Sequence, residues 1–180
     1  MLEIVVPEAE YYNEATNEFV KTPKCVLSLE HSLVSISKWE SIFCKPFLSK
    51  TDKTDYEIRS YIKCMTLNKG VDDKVYSSLS YENVKAIKEY INAPMTATTF
   101  SNVQNQAPSR QIITSEVIYW SMIENGIPFE CQKWHINRLL TLIKVCTIKN
   151  TPAKKMSKSE IFAMNSKLNA SRRAAMHSKG

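Results

Sequence analysis

Apolar positions recur along this chain at two periods. Near the start Leu2, Ile4 and Val6 alternate with other residues, and Cys25–Leu29 forms a second β-compatible run after the polar stretch 12–18, so two strands joined by a longish connection are expected. From His31 onward the spacing turns helical. Ser37 and Glu40 form an S-x-x-E capping box, in which hydroxyl and carboxylate each satisfy an orphan backbone N–H; Trp39, Ile42 and Phe43 follow, and Pro46 ends the turn. A second box, Thr54 and Glu57, opens a helix carrying Ile58, Tyr61, Ile62 and Met65 that stops before Gly70. Ser80 caps the next, with Val84, Ile87 and Ile91 on one face before Pro94. Residues 94–107 have no helical period and are rich in Thr, Asn and Gln, which reads as a loop.

The pattern changes character in the last third. After Pro108 a helix starts near Ser109 or Thr114, with Ile112, Ile113, Val117, Tyr119, Trp120 and Ile123 assigned to one side. Gly126 fits the left-handed position that ends a helix and Pro128 the first turn of another, predicting a tight helical hairpin. The helix of 128–149 is apolar around most of its girth: at about 100° per residue, Cys131, Trp134, His135, Arg138, Leu139, Leu142, Val145 and Cys146 share one broad arc. That arc is wider than a surface helix needs and predicts a central core helix, or one facing both core and partner. A short Pro- and Lys-containing linker follows. Ser157 and Glu160 then make a third capping box, with Met156 and Ile161 as its hydrophobic staple, and the final helix carries Ile161, Met164, Leu168 and Ala175 on its apolar stripe. The expected architecture is a mainly α, single helical domain over 1–150 with a small N-terminal β-hairpin or sheet, then a linker and basic C-terminal helix over 151–180.

Composition sharpens this picture at three points. Only three glycines occur, which disfavours a many-stranded sandwich that needs turns with positive φ. The five cysteines are odd in number and contain no C-x-x-C pair, so they read as reduced, mostly buried thiols of a cytoplasmic protein. The N-terminus carries acids where a signal peptide is basic, and no apolar stretch reaches the roughly 18 residues of a membrane span, so neither export by that route nor membrane insertion is expected. Charge is distributed unevenly. Residues 1–100 hold 12 Lys/Arg against 14 Asp/Glu, whereas 101–180 hold 12 against 4. Such a basic end suits an acidic protein surface or a nucleic-acid backbone.

Chemistry has little to build on. Isolated glycines cannot form a phosphate-cradling loop, and His31, His135 and His177 show no metal-ligand spacing. Cys131 and His135 lie one helical turn apart, the reach of a nucleophilic dyad, without an oxyanion donor or orienting third group. His135 and Arg138 read as satisfied polar groups in a core or subunit interface, because leaving either buried and unpaired is costly. Binding without catalysis, metal or cofactor is therefore expected. The basic residues Lys154, Lys155, Lys158, Lys167, Arg172 and Arg173 form the candidate basic contact surface. A solvated helix face, an acidic protein partner and nucleic acid remain alternatives there; no RNP-like motif or zinc finger favours the last.

Four strings carry a family resemblance: LEHSLVSISKWESIFCKPFLSKT (29–51), YINAPMTATTF (90–100), IPFECQKWHINRLLTLIKVC (127–146) and PAKKMSKSEIFAMNSKLNASRRAAMHSKG (152–180). Together they resemble the tail assembly chaperones of long-tailed, siphovirus-type bacteriophages, across nearly the whole chain. The resemblance implies a non-enzymatic role in virion assembly. Such a chaperone binds the tape measure protein, keeps its hydrophobic segments from aggregating, helps recruit tail-tube protein, self-associates as a homo-oligomer, acts in the host cytoplasm and is absent from the mature virion. It also implies two products related by a ribosomal frameshift, with this chain as the shorter. Aromatic side chains enrich interface hot spots, so Trp39, Phe43, Tyr119, Trp120 and Trp134, with Leu142, are the candidate client or subunit interface, while plain core packing is the favoured alternative for each aromatic. A structural virion protein, such as a head–tail connector or tail-completion subunit, is the alternative of another class, and a nucleic-acid-binding protein a third.

Overall fold

The structure is a computed structural model that describes residues 1–13, 17–100, 112–150 and 157–176. It is mainly helical with small N-terminal sheets. Strands β1 (Leu2–Val6) and β4 (Cys25–Leu29) pair antiparallel, Leu2 opposite Leu29 and Val6 opposite Cys25. Alternation places Ile4, Val6, Leu27 and Leu29 inside, while Val5 and Val26 face out. The connection is not the plain polar link expected over 12–18. It carries a second hairpin, β2 (Ala9–Asn13) against β3 (Glu18–Thr22). Tyr12 and Phe19 pair across it with ring centroids 5.2 Å apart, yet both are exposed, so no alternation of buried and open positions betrays these strands.

Helix α1 (Leu33–Phe43) is the centre of the core, with Leu33, Ile36 and Trp39 fully buried. Its cap is Ser32, whose side chain accepts from the Ser35 N–H while Ser35 reaches back to the Ser32 backbone. The box expected at Ser37 and Glu40 is therefore not formed, and both residues lie inside the helix. Helix α2 (Asp55–Met65) starts at the Thr54/Glu57 box, as its sequence predicts, and packs on α1. The chain beyond α2 returns to the sheet, where Leu67 N–H donates to Ser28 O and Glu30 N–H to Met65 O. A five-residue helix, α3 (Asp73–Ser77), precedes α4 (Tyr81–Asn92), which Ser80 caps. Asn83 joins α4 to β1 by donating to Val5 O.

Helix α5 (Ser115–Glu124) packs on α1, and Gly126 follows with a left-handed φ of 64°. The continuous helix expected over 128–149 is broken. A 3-10 turn (Phe129–Lys133) gives way to an extended Trp134, and α6 (Ile136–Asn150) starts afresh. Tertiary bonds impose the break: Ile136 N–H donates to His31 O at 2.7 Å, His135 bridges to Ser32, and His135 Nδ1 accepts from Asn137 N–H. Of the two roles its apolar arc predicts, α6 does not take that of a central core helix; that of a helix facing both core and partner stays open. It buries only Ile136 and Leu139, leaves Leu142, Ile143, Val145 and Cys146 half-covered and exposes Ile148.

The chain divides into two compact units, Met1–Ile148 and Lys149–Gly180. The second contains α7 (Lys158–Ala175), opened by the Ser157/Glu160 box, and no residue of this helix is buried. Met156, the other half of the expected staple, lies outside the described residues.

Candidate client and subunit interface

The six apolar candidates fall in three places. Trp39 belongs to the core: it is 1% exposed, its indole N–H donates to Glu57 O at 2.9 Å, and its ring lies 4.8 Å from Phe43 and 5.2 Å from Phe47. A partner cannot reach it. Phe43 is half-buried between Trp39 and the exposed Tyr56, closing the rim of that cluster. Nearby, Lys45 meets the Glu57 carboxylate at 2.7 Å and holds it below the usual carboxylate range, with the Thr54 backbone N–H assisting.

On α5 the sequence grouped Ile112, Ile113, Val117, Tyr119, Trp120 and Ile123 on one side; the structure divides them. The face against α1 is Ser115, Ile118 and Met122. Tyr119 is half-buried and its hydroxyl donates to Gln132 at 2.9 Å. Trp120 and Ile123 point outward, 59% and 63% exposed, and Ile112 and Ile113 are exposed just before the helix. Because α5 is apolar nearly all round, periodicity alone cannot choose its buried side. Glu116 and Glu124 stand one turn before and after Trp120, and both are exposed. These two acids and Ile123 were not among the sequence-derived candidates, although their spacing of four, three and four from Trp120 was readable.

Trp134 and Leu142 belong to the α6 region. Trp134 is half-buried beneath the exposed Arg138, whose guanidinium sits 4.1 Å from the ring centroid. Arg138 is thus stacked at the surface and is not a buried polar group, whereas His135 is buried and satisfied, with Nε2 3.0 Å from Tyr90 O. His135 lies edge-on to His31, centroids 5.0 Å apart, and His31 Nδ1 meets the Tyr61 hydroxyl. Burial, with the charge of His135, pushes His31 from 6.5 down to about 3; burial also lowers His135. Cys131 is buried as a small hydrophobe, but Cys25, Cys64 and Cys146 are only half-buried and Cys44 is exposed, so the cysteines are not mostly buried as expected.

Of the basic surface, Lys158, Lys167, Arg172 and Arg173 are exposed along α7; Lys154 and Lys155 lie outside the described residues. Among the described residues, no group of three or more His, Cys, Asp or Glu is placed to hold a metal ion, and no helix is long and apolar enough to cross a membrane. The exposed faces are an acid-flanked aromatic face on α5 and a basic amphipathic face on α7. Comparison with family models, curated proteins and solved structures finds no match to this chain.

Proposed function

We propose that this chain is a tail assembly chaperone of a long-tailed bacteriophage. It binds the tape measure protein, keeps it soluble and promotes tail-tube assembly, acting in the host cytoplasm and leaving before the virion is complete. It works by binding, without catalysis or a cofactor, and it associates with further copies of itself. The observation that carries this reading is the set of four strings, at 29–51, 90–100, 127–146 and 152–180. The exposed apolar side chains support it, because a holdase needs open apolar faces for amphipathic client segments and charge to keep the complex in solution.

Co-expression with the tape measure protein of the same phage tests the proposal. The client is expected to move from the insoluble to the soluble fraction and to co-purify with this chain. A client equally insoluble with and without it overturns the reading. Mass spectrometry of purified particles separates a departing chaperone from a connector or tail-completion subunit, since stoichiometric presence in the virion fits only the latter.

A further inference from the structure

We propose that α7 of one molecule docks on the outer face of α5 of another, so that copies of this chain join head to tail. Helix α7 needs such a cover. It has 18 residues, none buried, and an isolated helix of that length is marginal unless its apolar side is packed. Its stripe of Ile161, Met164 and Leu168 is 43%, 51% and 45% exposed. Lys158 and Arg172 border this stripe on one side and Lys167 on the other, by their angular positions on a helix. The helix holds four cations and one acid, and that acid, Glu160, is occupied in the cap, accepting from Ser157 N–H at 2.7 Å. Packing two α7 helices together would therefore set cation against cation. The stripe calls for an apolar surface edged with acid.

The outer face of α5 has that character. Trp120 and Ile123 form its apolar centre, Glu116 and Glu124 flank Trp120, and the helix contains no basic residue. Glu124 sits in the last turn, where the helix dipole disfavours a negative charge, so a cation brought from outside relieves it. Ion pairs among the described residues join Met1 to Glu30, Lys21 to Glu10, Lys45 to Glu57 and Lys63 to Asp73. Neither the α5 acids nor the α7 cations take part in them. The two surfaces thus match in polarity and in sign, although Glu116 also accepts hydrogen bonds at the start of its own helix, from its backbone N–H, Thr114 and Ser115. Because they differ from one another, one contact leaves a free α5 face and a free α7 at the two ends, and association continues into a ring or filament. This rests on the self-association in the proposed function and gives it surfaces, argued from the exposed apolar and charged side chains of the two helices. Its test uses only this chain, so it can fail while client binding stands, and the reverse.

Light scattering coupled to size-exclusion chromatography on the full chain provides the test. Mass should rise with protein concentration at low salt and fall by about 0.5 M salt, as screening weakens the contacts. The pair Glu116→Lys with Glu124→Lys should remain monomeric, as should the pair Lys167→Glu with Arg172→Glu. An equimolar mixture of the two charge-reversed proteins should assemble again, at a dissociation constant at least tenfold below that of either alone. Circular dichroism of each variant, unchanged from the parent, excludes unfolding as the cause of dissociation. A parent chain monomeric at every concentration overturns the proposal, whether hydrogen exchange then finds α7 protected within its own molecule or open for another protein. So does assembly that survives both charge reversals.

Discussion

Glu40 shows how one side chain can hold two elements together. It is buried on α1, yet its carboxylate serves the backbone elsewhere: Oε1 accepts from Phe47 N–H at 2.8 Å and Oε2 from Ser115 N–H at 2.7 Å. Ser115 opens α5, whose own cap residue Thr114 makes no side-chain cap bond. A carboxylate from a different helix therefore meets the orphan donor and the positive end of the α5 dipole. Replacing Glu40 by Ala leaves two N–H groups without acceptors and should cost about 3–6 kcal/mol, by the usual worth of two hydrogen bonds to a charged group. Glu40→Gln keeps one acceptor oxygen and should cost roughly half as much. Urea unfolding of the two variants checks the order; equal stabilities would mean that the carboxylate caps nothing.

At the scale of elements, local chemistry was readable and tertiary choices were not. The caps at Thr54, Ser80 and Ser157 stand where their spacing predicts, because a hydroxyl three residues before its reciprocal partner satisfies a helix start where no other cap stands just upstream. Helix α1 misleads because it offers two serine-led boxes, Ser37 with Glu40 and Ser32 with Ser35, of which only the second forms. The two serines should therefore respond with opposite sign. Ser32→Ala loses the cap and should cost about 1 kcal/mol, whereas Ser37→Ala, inside the helix, should be neutral or stabilise by a few tenths of a kcal/mol. Thermal unfolding of both decides between the two assignments. Helix α3 is too short to show a period, and the break before α6 is made by His31 and Tyr90, which lie far from it in sequence. The candidate interface was legible in part for the same reason. Composition marks Trp39 and Trp120 alike as anchors, and only the packing of α1 against α2 and α5 sends the first inside and leaves the second out.

For the molecule as a whole, the clamp at the α6 joint couples stability to acidity. His31, at the end of β4, and His135, at the start of α6, face each other between the Tyr61 hydroxyl, the Phe47 ring and the Tyr90 backbone. Beyond them Glu30 accepts from the Tyr90 hydroxyl at 2.6 Å and meets the Met1 ammonium at 2.9 Å. Folding keeps both imidazoles neutral, and unfolding lets each take up a proton near its ordinary value of 6.5. Below that pH the unfolded chain binds more protons, so stability falls as the pH drops, and the His31 contribution levels off only near 3. His31 alone should cost about 3 kcal/mol by roughly pH 4.5. The Glu57 carboxylate, held low by Lys45, loses its contribution only below the ordinary carboxylate range, so it does not obscure this window. Urea midpoints should therefore decline steadily from pH 7 to 4.5. His31→Gln, which retains a hydrogen-bonding partner for Tyr61, should flatten at least half of that decline. Two neutral rings 5.0 Å apart become two cations on protonation, so the α6 joint should open first. Amide exchange around Ile136 and Leu139 should then accelerate before that of Leu33 and Ile36 in α1, and simultaneous acceleration in both helices would show that the clamp does not act locally.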